Sequence, residues 1–255
     1  MQVFLKLALL LLFFVASPLH AADGPTLFVI GDSTVSNQSL IPAQPLRGWA
    51  QMLPLYLKDD LKMQNHAKSG QSSRSFLLTE RWQPVLDQLK AGDFVIIQFG
   101  HNDSKPDEKR HTEPQREYRD NLLRFIRETR EQGATPVLAT SPCRCVWDKG
   151  VLRDTLGGYP PAMRKVAAEQ KVPLLDLEAR TEETFKQLGE ARSRLYFANA
   201  EPDEFPSMPK GHKDGTHFNA YGASRICDIA VSEMQKNVPN LAAHLRVGVL
   251  EPRGK

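Results

Sequence analysis

Five short strand-like runs punctuate the chain at intervals that leave room for a helix between each, and this alternation restricts the fold more than any other feature of the sequence. The runs cover residues 26–30, 62–67, 93–99, 135–140 and 172–177. Leu27-Phe28-Val29-Ile30, Phe94-Val95-Ile96-Ile97 and Pro136-Val137-Leu138-Ala139 are nearly continuous in apolar residues, the pattern of parallel strands covered on both faces. The run 62–67 is more polar and reads as an edge strand. In residues 115–132, Tyr118, Leu122, Phe125 and Ile126 share one helical face and Gly133 follows as a cap. Helical patterns also cover 49–58, 82–90, 160–171 and 178–188, with a last one from near Asn219. The expected architecture is α/β: a three-layer α/β/α sandwich around a central five-stranded parallel sheet.

The first 21 residues stand outside that pattern. A short segment carrying Lys6 leads into an apolar run over 7–16, and Ser17-Pro18-Leu19-His20-Ala21-Ala22 supplies small residues for a peptidase. This reads as a secretory signal, since a membrane-crossing helix needs roughly 20 apolar residues. Residues 22–255 then form a single domain, secreted or periplasmic, with no membrane association after cleavage. A formal net charge of +3 gives no phosphate-tracking surface, so nucleic acid is not an expected partner. Oligomeric state is left open. The chain has 3 cysteines, so at least one lacks an intrachain partner. Cys227 lies on an apolar helical face as a small core residue, and Cys143-Arg144-Cys145 lacks partners at a recognised metal spacing.

Ligands of open parallel sheets bind beyond the carboxyl ends of the strands. Those positions carry Gly31-Asp32-Ser33-Thr34, Lys68-Ser69-Gly70-Gln71 and Gly100-His101-Asn102-Asp103, and a late irregular stretch, 199–216, delivers Asp214-Gly215-Thr216-His217 to the final helix. Singly, each motif is ordinary turn or cap material. Together they supply every part that acyl transfer needs. A serine hydroxyl requires an imidazole to take its proton, and the imidazole requires an acceptor to hold its tautomer, roles that Ser33, His217 and Asp214 can fill. The developing oxyanion requires fixed donors, for which the candidates are the backbone N–H of Ser33, that of Gly70 and the amide of Asn102. No G-x-S-x-G elbow occurs. His101, Asp103, His212, Asp214 and His217 show no recognised zinc spacing, so neither metal nor cofactor is expected.

These four blocks, in order and spacing, resemble those of the SGNH (GDSL-type) hydrolases over nearly all of residues 26–236. The resemblance implies a flavodoxin-like domain with Ser33, Gly70, Asn102 and His217 as signature residues and Asp214 completing a triad. The flanking words Gly31-Asp32-Ser33-Thr34-Val35, Ser69-Gly70-Gln71-Ser72-Ser73-Arg74-Ser75-Phe76, Gln98-Phe99-Gly100-His101-Asn102-Asp103 and Asp214-Gly215-Thr216-His217-Phe218-Asn219 are similar to those of rhamnogalacturonan acetylesterases. That similarity implies a secreted serine esterase removing acetyl groups from an acetylated polysaccharide, rhamnogalacturonan or pectin by preference. Acetylxylan or another carbohydrate ester, a lipase-type substrate, and a non-catalytic carbohydrate-binding protein are the alternatives. Arg74 is a candidate for a galacturonate carboxylate, and Trp147 is one for stacking on a sugar ring, as is Trp49; each has a structural role as its alternative.

Overall fold

The computed structural model describes residues 24–246 and residue 248; residues 1–21, which the sequence analysis reads as a secretory signal, lie outside the described residues. The main sheet is built from β1 (Thr26–Gly31), β2 (Lys62–Asn65), β3 (Phe94–Gln98), β4 (Thr135–Ala139) and, after a small hairpin of β5 (Trp147–Asp148) and β6 (Val151–Leu152), β7 (Leu174–Leu175). Its order is β2-β1-β3-β4-β7, and each neighbouring pair is parallel. All residues of β3 and all but the first of β1 and β4 are buried, whereas β2 is exposed or half-buried along its length. The five-stranded parallel sheet and its polar edge strand are as the sequence indicates.

Side chains alternate across the sheet and divide the core in two. Leu27, Val29, Ile96 and Val137 join one apolar cluster with α5 (Leu177–Ser193), α6 (Ala220–Asn237) and α7 (Pro239–Ala242). Phe28, Ile30, Val95, Ile97 and Leu138 join the other, against α1 (Ser73–Leu78), α2 (Gln83–Leu86), α3 (Arg119–Glu131) and α4 (Tyr159–Gln170). In the second cluster Phe125 stacks on Phe99 at 5.7 Å and meets Trp82 edge-on at 5.2 Å.

Two local expectations are corrected. Residues 49–58 form two tight turns, Trp49–Gln51 and Leu53–Tyr56, because Pro54 cannot donate to the carbonyl four residues earlier and its ring would clash there. Residues 82–90 keep only the single turn of α2. After β4 comes the β5–β6 hairpin, whose two turn residues Lys149 and Gly150 both have positive φ, 51° and 78°, as a tight hairpin turn requires.

Truncating Phe125, fully buried and in contact with three aromatic rings, should cost about 3–5 kcal/mol. Urea unfolding of Phe125→Ala should show a lower midpoint at an unchanged slope; a loss below about 1 kcal/mol would mean that the cluster collapses around the gap.

Candidate active site

At the end of β1 the chain passes so close to β3 that a Cβ on Gly31 would lie 2.6 Å from the Gln98 carbonyl oxygen. Asp32 then begins a tight turn: its carbonyl accepts the N–H of Ser36 at 3.0 Å, and its Oδ1 accepts the N–H and the hydroxyl of Thr34 at 2.9 and 2.7 Å. Thr34 is in turn tied to the sheet, since Gln98 donates to its Oγ1 at 2.8 Å and itself accepts the indole N–H of Trp49 at 2.7 Å. This answers the question about Trp49: the ring is fully buried and holds the turn rather than facing a ligand.

Asp32 is itself sealed from solvent. Burial pushes its carboxyl up, but His101 and Thr34 outweigh that and leave it below the usual carboxylate range. His101 Nδ1 lies 3.5 Å from Asp32 Oδ2, and its Nε2 donates to the Pro142 carbonyl at 2.9 Å.

The turn presents Ser33, whose hydroxyl donates to His217 Nε2 at 2.9 Å. His217 Nδ1 is 2.8 Å from Asp214 Oδ2. A carboxylate can only accept, so Nδ1 carries the proton and the neutral ring offers its Nε2 lone pair to the serine. Asp214 Oδ1 accepts the backbone N–H of Thr216 and of His217 at 2.6 and 2.8 Å, which closes the turn that the three-residue spacing anticipates. The segment is pinned at both ends. Asn199 Oδ1 accepts the Asp214 N–H at 2.9 Å, and Asn219 caps α6 by accepting the Gly222 N–H at 2.8 Å. Burial raises the Asp214 carboxyl, but the bonds from His217 and from the two backbone N–H groups prevail and hold it well below the usual range. His217 is raised, chiefly by Asp214 and against its own desolvation.

Gly70 sits at φ +82° with open space where a side chain would stand, a conformation that favours glycine. Gln38 joins its loop to the serine turn, donating to the Ser33 carbonyl at 3.0 Å and to Ser69 Oγ at 3.1 Å. Asn102 joins the β3 loop to the same place by donating to the Gln71 carbonyl at 3.0 Å. No described group accepts the N–H of Ser33 or of Gly70, and Asn102 has a second amide N–H to offer. Behind Asn102, the buried Asp103 accepts the N–H of Ser73 at 3.1 Å and the hydroxyl of Thr112 at 3.0 Å. Burial pushes its carboxyl up to about 6 despite those bonds. Asp103 thereby fixes the start of α1 and, through it, the Gly70 loop.

A large cleft lies beside Asp214, and Ser33 is not among its lining residues. It measures about 1030 Å³, and Trp147, His212, Lys210 and Lys213 are among its lining residues. The Trp147 indole N–H is anchored on Ser193 Oγ at 3.1 Å. A second hollow, about 470 Å³, adjoins Gly70 and Gln71 and reaches Leu78 and Lys109. Arg74 lines neither hollow; it stands half-buried in the first turn of α1, where its charge joins the Glu113 N–H in holding the Glu117 carboxyl low. All three cysteines are buried and unpaired. Among the described residues no group of three His, Cys, Asp or Glu is placed to hold a metal ion.

Sequence reasoning named the residues that meet here but gave no role to Asp32, Gln98, Gln38 or His212. Asp32 stood in the serine motif, and only its burial shows what it does.

The sequence profile of the GDSL-like lipase/acylhydrolase family matches residues 29–225. The chain is 37% identical over 219 residues to the rhamnogalacturonan acetylesterase RhgT of Bacillus subtilis (strain 168), covering 86% of this chain and 93% of the relative. Among solved structures, the YxiM protein of Bacillus subtilis superposes with a TM-score of 0.70 at 27% identity, over 84% of this chain and 56% of that one. A catalytic mutant of an acetylxylan esterase from Geobacillus stearothermophilus shares the fold, with a TM-score of 0.58 at 20% identity over 83% of this chain and 94% of that one.

The His217–Asp214 pair, which becomes an ion pair when the imidazole takes up a second proton at lower pH, makes stability depend on pH. A raised imidazole contributes stability that is complete below its unfolded pKa and is lost as pH rises through the folded value. A depressed carboxyl contributes above its unfolded pKa and is lost as pH falls through the folded one. The overlap is a mildly acidic window, from about pH 4 to somewhat above about pH 6.5. The melting temperature of Asp214→Asn should therefore trail that of the parent more at about pH 5.5 than at about pH 9; a gap independent of pH would mean that the pair adds nothing to stability.

Proposed function

Because the chain belongs to the GDSL-like lipase/acylhydrolase family and is a carboxylic ester hydrolase, we propose that it is an exported serine acetylesterase acting on an acetylated polysaccharide of the rhamnogalacturonan or pectin type. The observation that carries the mechanism is the unbroken relay Ser33 Oγ to His217 Nε2, then His217 Nδ1 to Asp214 Oδ2, at 2.9 and 2.8 Å.

In this reading Ser33 Oγ attacks the acetyl carbonyl carbon as its proton passes to His217 Nε2. The carbonyl oxygen gains the negative charge and takes bonds from the N–H groups of Ser33 and Gly70 and the amide of Asn102. Collapse of the tetrahedral intermediate breaks the bond to the sugar oxygen, which leaves with the proton from His217. Water then enters the emptied side, gives a proton to His217 and releases acetate by the reverse sequence. Asp214 stays ionised throughout and holds the imidazole. The substrate class is supported by the 37% identity to a rhamnogalacturonan acetylesterase and by the hollows beside Asp214 and beside Gly70, which leave room for a polymer. Trp147 stands at the first of these as a surface for a sugar ring.

Acetate release should be faster from acetylated rhamnogalacturonan than from acetylated xylan or octanoyl esters. Ser33→Ala should abolish it, and Asn102→Ala should lower kcat by roughly 10²- to 10³-fold. Preference for long-chain esters would replace this reading by a lipase, and binding of pectin fragments without release of acetate would replace it by a carbohydrate-binding protein. Export rests on residues 1–21. Mass spectrometry of the protein from the culture medium or periplasm should find an N-terminus at or next to Ala22, and an intact Met1 would overturn it.

A further inference from the structure

Asp214 Oδ2 serves two imidazoles. Besides His217 Nδ1 at 2.8 Å, His212 Nε2 approaches it at 3.1 Å. Since the oxygen is an acceptor only, both nitrogens must carry protons. Oδ1 is already occupied by two backbone N–H groups, so the second histidine draws on the same oxygen that holds the first. Its backbone is fixed, because His212 and Ala200 exchange both N–H···O bonds at 2.8 and 2.9 Å. Its side chain is 40% exposed and stands in the wall of the large cleft.

We infer that His212 is a positioning residue that tunes the general base: by donating to Asp214 Oδ2 it weakens the hold of that carboxylate on His217 and keeps His217 neutral to lower pH. The inference rests on the triad reading of Ser33, His217 and Asp214. Every unit of negative charge engaged by His212 is unavailable to stabilise the His217 imidazolium, and a protonated His212 would repel that imidazolium as well. Both effects act in one direction. Other charges surround the pair: Asp32 favours protonated His217 and Arg144 opposes it, while Arg194, Glu201, Lys210, Lys213 and the Cys145 thiol line the cleft with His212. None of these is within hydrogen-bond distance of Asp214 Oδ2; His212 is.

The test compares the parent, His212→Ala and His212→Gln, whose amide N–H can reach the position of Nε2 but cannot ionise. With an aryl acetate as probe, the acid limb of kcat/KM should move up by about 0.5 to 1 pH unit in His212→Ala. Relative to its own alkaline plateau, that variant should lose about threefold to tenfold at acid pH. His212→Gln should restore most of the limb. A limb coincident with the parent's, a change confined to KM, or a His212→Gln profile like that of His212→Ala would overturn the inference.

A second measurement does not need turnover. The His217 ring resonances, titrated by NMR in Ser33→Ala with and without His212→Ala, should show the imidazole pKa rising by the same interval, and an unmoved titration would sink the coupling. If the parent protein hydrolysed no ester at all, the triad reading would fail while this titration still decided whether His212 acts on His217.

Discussion

A carboxylate sealed from water at the end of β1 sets the terms for everything built above it. Asp32 has no solvent to stabilise its charge, and a buried charge is tolerated only when paired and hydrogen-bonded. Its partners are therefore obliged to stand where they do. Thr34 closes the turn from one side and is itself fixed to Gln98 of β3 and, through it, to Trp49. His101 approaches from the β3 loop and reaches onward to the Pro142 carbonyl beyond β4. Polar groups from the ends of three neighbouring strands thus meet around Asp32, the residue next to Ser33. The Ser33 hydroxyl inherits its position from residues that are themselves buried.

That dependence explains which parts of the molecule were legible in the sequence. β1, β3 and β4 are buried on both faces, so their apolar runs carry no competing polar pattern, and α3 announces itself because Leu122, Phe125 and Ile126 face one core cluster. The chemistry-bearing motifs were legible because a parallel sheet gathers its strand ends on one edge. Legibility failed where a single backbone constraint overrode periodicity. Pro54 breaks what apolar spacing alone presents as a helix over 49–58. Helix α1 was not marked as an element because its capping box closes with the hydroxyl of Ser75 instead of a carboxylate or amide, a weaker signature than the usual one. The β5–β6 hairpin turns on Lys149, a residue with no preference for positive φ.

Side-chain partnerships across the fold were the least legible. Arg74 precedes Ser75 in the word that resembles the acetylesterases, yet the rotation of α1 turns Ser75 and Leu78 toward the hollow beside Gly70 and leaves Arg74 out of its lining. His212 precedes Asp214 by two residues, a spacing with no helical or strand meaning, and only the Ala200–His212 bridge aims its ring at the carboxylate. Sequence spacing identifies pairs that share a turn, such as Asp214 and His217; it is silent on contacts created by a strand-like bridge between distant parts of a loop.

The same bridge gives the molecule a separable part. Because Ala200 and His212 exchange both backbone bonds, residues 201–211 leave and re-enter the body at one fixed doorway, a few residues from His217. The conformational cost of closing such a loop grows only with the logarithm of its length, so the excursion can be lengthened, shortened or recoded while its doorway stays shut. Glu201 and Lys210 reach the large cleft from this excursion, whereas Asp214 and His217 are secured outside it by Asn199 and the cap of α6. The wall of the large cleft and the turn that joins Asp214 to His217 are thus assigned to adjacent stretches of the same chain, each with its own anchors.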